Sequence, residues 1–432
     1  MTGTYKLPKT TKMKSKHMIS ILVILISLCP GIVSALVANP AGGNVLLGVA
    51  QVNITPSRPT LLSGYAARTT PFTGVHDSLY ASAFYFSSEE VKNLLIITDL
   101  IGFPFDIGDE IRGNISTELN IPIGNIKLVA THTHGGPSVN DSGPESVVAY
   151  TAELKVKLTG LALEASKNPV PFRMGAGKGH SAMNINRRAE FSKGEVWLGR
   201  NFEGVVDHEL SVVKFESMQG DLLAVMINWP CHGTVTGDSN YLISGDWPGA
   251  SARYIQEHTG KDVIVGVTAG ASGDINPIYG PGNVFREVDA IGYHIGSETL
   301  RVMENLVTYP VGNLSSADTV LTFPGKQRLP DRFPVSSYEP GPDVDIRLSV
   351  FKIGNLVLAG ISGELMTEIG MEIKSRSPYS NTIIMTHCNG SAGYICTDSS
   401  YPEGGYEIQV TRLMPGVEKP LVQQYINMFE SF

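Results

Sequence analysis

The chain has 432 residues, of which 42% are hydrophobic and 17% charged, with 46 glycines and 26 prolines. This composition is typical of a turn-rich globular protein and argues against a coiled coil or a disordered scaffold. The net charge is -8, and an anionic chain without a basic stripe is a poor candidate for binding nucleic acid.

Residues 1–35 have the three parts of an export signal. Lysines form a basic flank, an apolar run follows, and the run ends in the small-residue stretch Val-Ser-Ala. The alternative is an uncleaved anchor, because the run approaches the roughly 20 residues needed to cross a bilayer. The sequence therefore predicts an exported protein, either released or held at a membrane surface by this segment.

Strand-like apolar runs alternate with helical patterns along the rest of the chain. This alternation predicts an α/β fold with mixed β-sheets flanked by helices, and residues 36–432 are interpreted as one domain. The turn-rich residues 325–345 are predicted to be a surface loop. The predicted strands lie at residues 44–52, 82–88, 93–103, 126–132, 210–217, 222–230, 262–270, 348–362 and 381–388, and the predicted helices at 105–119, 146–167, 247–258, 288–306 and 365–376.

Several of the predicted strands end in glycine-containing loops that carry His, Asp, Glu or Tyr, and such loops are where α/β proteins place their chemistry. His132, His232 and Glu364 follow three of these strands and have the donor atoms of a catalytic zinc site. His134, two residues after His132, faces the same way in an extended segment. Taken singly, each residue also fits an ordinary structural role, such as a sheet-surface histidine pair or a carboxylate near a helix N-terminus.

Other kinds of site have weaker support. Residues 175–180 contain a Gly-rich stretch but not the Gly-Lys-Ser/Thr of a phosphate loop. No Gly-x-Ser-x-Gly elbow precedes a helix, which disfavours a serine hydrolase. Beyond the N-terminal segment, Cys388 and Cys396 could pair across a short loop, and Cys231 is the remaining thiol.

The chain resembles the neutral/alkaline, non-lysosomal ceramidases in a series of motifs that follow that family's order. The tyrosine-rich motif near the C-terminus keeps the family's spacing. The resemblance implies the fold of the ceramidase catalytic domain. The matching segments are GVAQVNITP at 48–56, LSGYA at 62–66, GVHDSLYASAF at 74–84, ATHTHGGPS at 130–138, NINR at 184–187, NWPCHGTVTG at 228–237, ISGDWPGAS at 243–251, GDINP at 273–277, SGELMT at 362–367 and YICTDSSYPEGGYE at 394–407.

The resemblance also implies a set of site residues. One zinc ion per chain is expected to be bound by four ligands. Three further side chains are expected to line the substrate amide, and Asp274 is a candidate for orienting a ligand. The expected ligands are His132, His232, Glu364 and Tyr394, and the expected substrate-facing residues are His134, Arg187 and Tyr406.

The chain departs from the family pattern in two ways. Asn276 stands where the family has a serine that ceramide cleavage requires. An asparagine amide donates and accepts hydrogen bonds but is not a nucleophile, so Asn276 is expected to position substrate. Only 26 residues follow Tyr406, and we expect the C-terminal β-sandwich domain of the characterised ceramidases to be missing.

These observations lead to the hypothesis of a zinc-dependent amidohydrolase. Zinc-activated water would cleave the N-acyl amide of ceramide to a fatty acid and a sphingoid base, and protonated His134 would supply the proton for the leaving amine. The expected partner is a lipid or another N-acyl amide. Two alternatives stay open: a hydrolase of the same fold that cleaves another N-acyl amide or ester, and a non-catalytic exported binding protein.

Overall fold

The computed structural model of the protein describes residue 3 and residues 45–191, 194–331 and 333–432. The predicted export segment, residues 1–35, lies outside the described residues apart from residue 3. Within the described residues, no helix combines the length and the apolar character needed to cross a membrane.

Strands and helices alternate along the described chain, as the hydrophobic pattern predicts. The strands are β1 (Leu46–Asn53), β2 (Gly74–Val75), β3 (Tyr80–Ser87), β4 (Lys92–Thr98), β5 (Ile126–Ala130), β6 (Val170–His180), β7 (Asn184–Phe191), β8 (Glu195–Asn201), β9 (Glu209–Ser217), β10 (Leu222–Trp229), β11 (Leu242–Ile243), β12 (Ile264–Ala269), β13 (Ile275–Pro277), β14 (Tyr309–Pro310), β15 (Leu314–Lys326), β16 (Pro340–Ile353), β17 (Leu356–Ile361), β18 (Glu364–Leu365), β19 (Asn381–Met385) and β20 (Tyr394–Ile395). The helices are α1 (Phe105–Leu119), α2 (Glu145–Ser166), α3 (Asp246–Thr259), α4 (Phe285–Glu304), α5 (Thr367–Arg376), α6 (Tyr406–Val410) and α7 (Glu418–Glu430).

Two mixed sheets form the centre of the fold. The larger has the order β12-β10-β9-β6-β1-β3-β4-β5, with β14 paired to β6, and the smaller has the order β15-β16-β17-β19. Parallel pairs occur at β10/β12, β4/β5 and β17/β19, and the other pairs in these two sheets are antiparallel. The predicted class, an α/β fold with mixed sheets, is confirmed.

Alternating side chains place the larger sheet between two apolar layers, as the two-residue period of a strand requires. In β4, Leu94 and Ile96 pack into one core with α1 and α2. Leu95 and Ile97 point the other way, into a core shared with Phe351 and other residues of the smaller sheet. The two sheets therefore share this core, and within the larger sheet β12 also packs across from β3 and β4, where a Cβ on Gly266 would lie 2.6 Å from Ile97 and 2.9 Å from Phe84.

The outer faces of the sheets are covered in the same manner. Side chains of β9, β10 and β12 pack against α3 and α4, including the paired indoles of Trp229 and Trp247. On the smaller sheet, residues of β16 and β17 pack against α5 and α7, where Tyr425 donates a hydrogen bond to the Gly360 carbonyl at 2.7 Å. The helices therefore lie on the outer faces of both sheets.

Several details differ from the sequence-based expectation, among them strands β6, β7 and β8 and helix α6, which were not predicted. The surface loop predicted at residues 325–345 is shorter, because β15 runs to Lys326 and β16 begins at Pro340 with Gly325 paired to Gly341. Alternation in β16 is hard to recognise in a proline- and glycine-rich sequence. Helix α7 was not among the predicted helices.

The ends of β5, β10, β12, β17 and β19 meet at one edge of the sandwich. An isolated bridge joins Val129 to Cys388, and so links the larger sheet to the smaller one. A second bridge joins Thr133 to Gly233, the residues that follow the two histidines after β5 and β10. This junction of the two sheets is the part of the molecule that positions the site.

Candidate metal centre and active site

His132 lies two residues beyond the end of β5, with a backbone φ of +62°. Its ring is buried, and its Nδ1 lies 2.7 Å from the Ile101 carbonyl oxygen. Because a carbonyl can only accept, Nδ1 carries the proton and donates the hydrogen bond. The lone pair is then on Nε2, which is the form of imidazole that binds a metal.

His232 is held in the same way at the end of β10. Its Nδ1–H donates to the Ile275 carbonyl at 3.0 Å, which again leaves the lone pair on Nε2. That Nε2 lies 3.1 Å from Oε2 of Glu364. The backbone bridge between Thr133 and Gly233 keeps the two histidine loops side by side.

Glu364 lies between the two imidazoles, at the start of β18. Its Oε2 is 3.1 Å from His232 Nε2 and 3.6 Å from His132 Nε2. Burial opposes ionisation of this carboxyl group, but positive charge at the two facing imidazole nitrogens, whether from protons or from a bound cation, holds its pKa well below the usual range. Glu364 is therefore a carboxylate at neutral pH.

These three residues fit one zinc ion. Zinc bonds of about 2.0–2.1 Å at tetrahedral angles place neighbouring ligand atoms about 3.3 Å apart, and the distances of 3.1 and 3.6 Å lie on either side of that value. An imidazole lone pair facing a carboxylate also needs a cation between them. Burial, followed by the charge of Arg187, lowers the pKa of His232 to about 4, so at neutral pH a metal suits that position better than a proton.

His134 belongs to the same cluster. Its Nε2 lies 3.3 Å from Nε2 of His132, and its ring contacts the Tyr65 ring with centroids 4.9 Å apart. The nitrogens of His132, His134 and His232 lie within 4.8 Å of one another, close enough to hold a metal among themselves. The structure thus brings His134 to the ligands, although the sequence interpretation gave it to the substrate.

Tyr394 and Tyr406 both pack against the guanidinium of Arg187. Tyr394 starts β20, which pairs with β18, so that its backbone is directly beside Glu364. Its hydroxyl accepts a hydrogen bond from Arg187 Nη2 at 3.1 Å. Tyr406 starts α6 and packs edge-on against Tyr394, with ring centroids 5.8 Å apart.

Arg187, in β7, joins the tyrosine side to the histidine side. Its Nη1 lies 3.2 Å from His232 Nε2 and 3.3 Å from Asn276 Oδ1. Its Nε donates to Glu407 Oε1 at 2.7 Å, and Glu407 also accepts from Arg188 at 2.9 Å. All three charged residues are buried, so the guanidinium of Arg187 is held in a fixed orientation.

Asn276 and Asp274 lie on either side of Ile275, whose carbonyl holds His232. Because a guanidinium only donates, the contact with Arg187 requires Asn276 to present its oxygen there and to turn its Nδ2 donor away. The Asp274 carboxylate accepts from the Thr367 backbone N–H at 2.8 Å and from Asn186 at 2.9 Å. Asp274 thus supports the site through the backbone, and its side chain is bonded to neither predicted histidine ligand.

The sequence interpretation assigned no role to two residues of the site, Glu407 and His387. His387 follows β19 and stacks on His132, with ring centroids 3.8 Å apart and an angle of 11° between the planes. The signal was present, since His387, like His132 and His232, is a histidine just beyond a buried strand.

The cysteines considered for a disulfide are free. Cys231, Cys388 and Cys396 are all buried thiols, so no bridge joins Cys388 to Cys396. Burial also raises the pKa of each thiol. These cysteines are therefore packed as small apolar side chains in the protein interior.

Residues 45–282 match the family model of the neutral/alkaline non-lysosomal ceramidase N-terminal domain, and this match covers more than half of the chain. The chain belongs to that family. The membership predicted from the ceramidase motifs is confirmed, and the matched region contains His132, His134, Arg187 and His232.

Two curated members of the ceramidase family show the extent of the similarity. Neutral ceramidase A of Dictyostelium discoideum is 26% identical over 230 residues, which are 49% of this chain and 32% of that protein. Neutral ceramidase of Drosophila melanogaster is 24% identical over 293 residues, 62% of this chain and 40% of that protein. The chain thus matches less than half the length of these relatives.

Solved ceramidase structures share the fold. Neutral ceramidase from Pseudomonas aeruginosa superposes with a TM-score of 0.74 at 16% identity, covering 90% of this chain and 75% of that one. A ceramidase complexed with C2 gives a TM-score of 0.75 at 16% identity, covering 89% and 75%. The fold of this chain is therefore that of the ceramidases.

Proposed function

We propose that the protein is a zinc-dependent amidohydrolase that cleaves the N-acyl amide of ceramide to a fatty acid and a sphingoid base. Family membership and the shared fold support this proposal. One observation carries it furthest: the Glu364 carboxylate lies between two imidazoles whose Nδ1 atoms are both fixed by backbone carbonyls. That arrangement is a preformed donor set.

His132, His232, Glu364 and Tyr394 would hold one zinc ion. When bound, zinc supplies Lewis-acid polarisation of a carbonyl and lowers the pKa of water from 15.7 to about 7. The backbone carbonyls of Ile101 and Ile275 keep the two imidazoles in the ligand tautomer. The three-histidine grouping leaves His134 as an alternative fourth ligand.

The substrate carbonyl would be bound by groups on the arginine side of the site. Arg187 is fixed by Glu407 and carries a permanent positive charge. Asn276 turns its amide donor away from Arg187, and Tyr406 offers a hydroxyl beside Tyr394. Fixed donors of this kind stabilise negative charge as it develops on the carbonyl oxygen.

His134 would move the proton. Burial, together with the neighbouring imidazoles of His132 and His232, lowers its pKa well below the usual value, so the ring is neutral at neutral pH. A neutral Nε2 first accepts a proton from the attacking water and then returns it to the leaving amine. This order refines the expectation of a histidine protonated from the outset.

A second substrate class is favoured by one residue. Asn276 replaces the serine expected in this family, and it makes a direct contact with Arg187. The alternative function is hydrolysis of another N-acyl amide, or of an ester, by the same residues. A non-catalytic binding protein is a third candidate, and it is disfavoured because all four expected metal ligands are present in the chain.

The setting of the reaction follows from the proposed substrate. A long-chain N-acyl amide is held in or near a membrane surface, and we propose that the protein acts there after export. The signal-or-anchor interpretation of residues 1–35 and the single catalytic domain at residues 36–432 stay predictions. Cell fractionation followed by N-terminal sequencing of the mature protein tests the signal.

The function is tested on the purified chain by elemental analysis and by hydrolysis of a short-chain fluorescent ceramide. We expect about one zinc per chain and release of the labelled fatty acid. A His132→Ala/His232→Ala double variant should lose both zinc and activity. The control is His258→Ala, which changes an exposed helix histidine stacked on Tyr254 and should retain both.

Each other outcome has a definite meaning. Full zinc content in the double variant would overturn the ligand assignment. Zinc with no ceramide hydrolysis, but with cleavage of another N-acyl amide or ester, would support the alternative function. Zinc with no hydrolysis of any substrate in such a panel would identify a binding protein.

A further inference from the structure

His387 lies against the candidate ligands but is used by none of the roles described above. Its ring stacks on that of His132 at 3.8 Å and is 3% exposed. Its backbone N–H donates to the Gly363 carbonyl at 3.3 Å, one residue before Glu364. His387 therefore contacts one candidate ligand, His132, and the backbone next to another, Glu364.

Histidine is a costly residue at this position. The backbone φ is +54°, in the left-handed region, which strains any residue with a Cβ, phenylalanine as well as histidine. Within the described residues, the buried Nε2 of His387 has no hydrogen-bond partner, and an unpaired buried polar atom costs free energy. A phenylalanine would give the same stack on His132 without this cost, so stacking alone does not account for a histidine.

The orientation of the ring shows where its unpaired nitrogen points. His132 directs Nδ1 to the Ile101 carbonyl, and a Cβ placed on the adjacent Gly102 would lie 4.0 Å from Nδ1 of His387. The two nearly parallel rings thus turn the same edge toward residues 101–102. Their Nε2 edges face the opposite way, toward the side where His132 meets Glu364.

His387 is not grouped with the ligand atoms themselves. The nitrogens of His132, His134 and His232 lie within 4.8 Å of one another, and His387 is not a member of that group. Its ring lies one layer behind His132. A partner for its Nε2 is then an atom that occupies the site together with the metal.

We propose that His387 is a substrate-binding residue, whose Nε2 donates a hydrogen bond to an oxygen of a carboxylate or carbonyl group bound at the metal centre. A neutral imidazole can carry its single proton on Nε2 and donate it there. The inference rests on the proposed function for the metal centre and for the class of ligand, an acyl carbonyl or its carboxylate product. It adds a further contact to the acyl end of the substrate.

The test measures octanoate binding to the zinc-loaded full chain by calorimetry, since octanoate has the carboxylate and alkyl chain of the acyl product. His387→Phe keeps the stacked ring and removes the nitrogen. We expect this variant to keep its zinc content and to unfold at the same or a higher temperature, while binding octanoate about tenfold more weakly, the loss expected for one hydrogen bond to a charged group. His387→Gln, which retains an N–H donor, should recover part of the affinity.

His258→Phe is the matched control, because it makes the same substitution at an exposed histidine, and it should bind octanoate like the wild type. Three results overturn the inference: no octanoate binding by the wild type, unchanged affinity in His387→Phe, or loss of zinc in that variant. If His387→Phe does not fold, the octanoate affinities of His387→Gln and His387→Asn are compared instead. Tighter binding by His387→Gln supports the inference, and equal binding by the two variants overturns it.

The same preparations separate this inference from the proposed function. Octanoate affinity that depends on His387, in a protein that leaves ceramide and other N-acyl amides intact, supports the inference and overturns the proposed hydrolysis. Ceramide hydrolysis together with octanoate affinity that is independent of His387 supports the proposed hydrolysis and overturns the inference about His387.

Discussion

The two sides of the site are built differently. The ligand cluster, His132, His232 and Glu364, is held by the backbone, since its two imidazoles are fixed by carbonyl oxygens at strand ends. The arginine network, Arg187, Arg188 and Glu407, is held by side chains that bond one another in the interior. Both sides meet where Arg187 contacts His232.

This difference predicts different consequences of mutation. A backbone support remains when a ligand side chain is changed, so a ligand variant should lose the metal and keep the fold. A buried ion pair leaves an uncompensated charge when one partner is removed, so the arginine network should lose stability first. Folding stability and zinc affinity, measured on the same variants, would separate the two sides.

The largest effect is expected from Glu407→Ala. This carboxylate is 1% exposed and accepts hydrogen bonds from both Arg187 and Arg188. Its removal leaves two buried guanidinium groups unpaired, and we expect the free energy of unfolding to fall by about 3–5 kcal/mol. Urea unfolding monitored by circular dichroism measures this change.

Glu403→Ala is the control for the arginine network. Glu403 also contacts Arg188, at 2.9 Å, but its side chain is 53% exposed. We expect a loss of less than about 1 kcal/mol, as for other exposed pairs. Equal losses in the Glu403 and Glu407 variants would show that burial does not distinguish the two contacts.

Glu364→Gln should have the next largest effect, on zinc rather than on folding. The neutral amide cannot balance the charge of the ion between His132 and His232, and we expect zinc to bind at least about 100-fold more weakly, or about 2.7 kcal/mol. Competition with a fluorescent chelator measures the affinity. Glu368→Gln, an exposed change on α5, should bind zinc like the wild type.

We expect the free energy of unfolding to depend on pH through Asp99. This residue lies two positions before Ile101, whose carbonyl accepts the hydrogen bond from His132. Its Oδ2 accepts the Tyr80 N–H at 2.8 Å, and burial raises the pKa of the carboxyl to about 7. The folded state therefore binds this proton more tightly than the unfolded state. The contribution to stability is fully present below about pH 4 and is lost as the pH rises through about 7.

Asp99→Asn removes this titration. Relative to the wild type, we expect the free energy of unfolding of the variant to rise by on the order of 2 kcal/mol between pH 4 and pH 8, a value reduced for the residue's partial solvent contact. Urea unfolding at both pH values measures the difference. Parallel pH curves for the two proteins would contradict the raised pKa.

The contrast between the two sides also explains what could be predicted from the sequence. Helix α1 was predicted at residues 105–119, as observed, because its apolar residues recur with helical spacing. The strand ends before His132, His232 and Glu364 were visible in the same way. These three strands, β5, β10 and β17, are not paired with one another. The bridge between Thr133 and Gly233 brings two of their ends together, so the local pattern predicts the strand ends but not their grouping.

Other parts of the site depend on contacts that local patterns do not encode. Arg187 and Glu407 are 220 residues apart in the chain, and only the tertiary fold brings them together. The resemblance to the ceramidases supplied Arg187, but not its partner. The role of His387 depends on stacking across two sheets, and its position after β19 indicated a site residue without indicating which one it contacts.

The smallest expected effect tests how the arginine side selects its substrate. Asn276→Ser restores the residue expected in the ceramidase family and removes the amide that accepts from Arg187. A serine hydroxyl is shorter and can rotate to donate to a substrate oxygen. We expect kcat/KM for short-chain ceramide to rise about tenfold, the equivalent of about 1.4 kcal/mol, with unchanged zinc content.

Asn283→Ser, at an exposed loop, serves as the control for Asn276→Ser and should leave kcat/KM unchanged. Steady-state rates are compared for ceramide and for a second N-acyl amide. If Asn276→Ser lowers the rate on the second amide while ceramide hydrolysis stays undetectable, Asn276 is adapted to a different acyl amide. The fixed amide of Asn276 would then mark the arginine side as the part of the site that diverged, around a ligand cluster that kept its geometry.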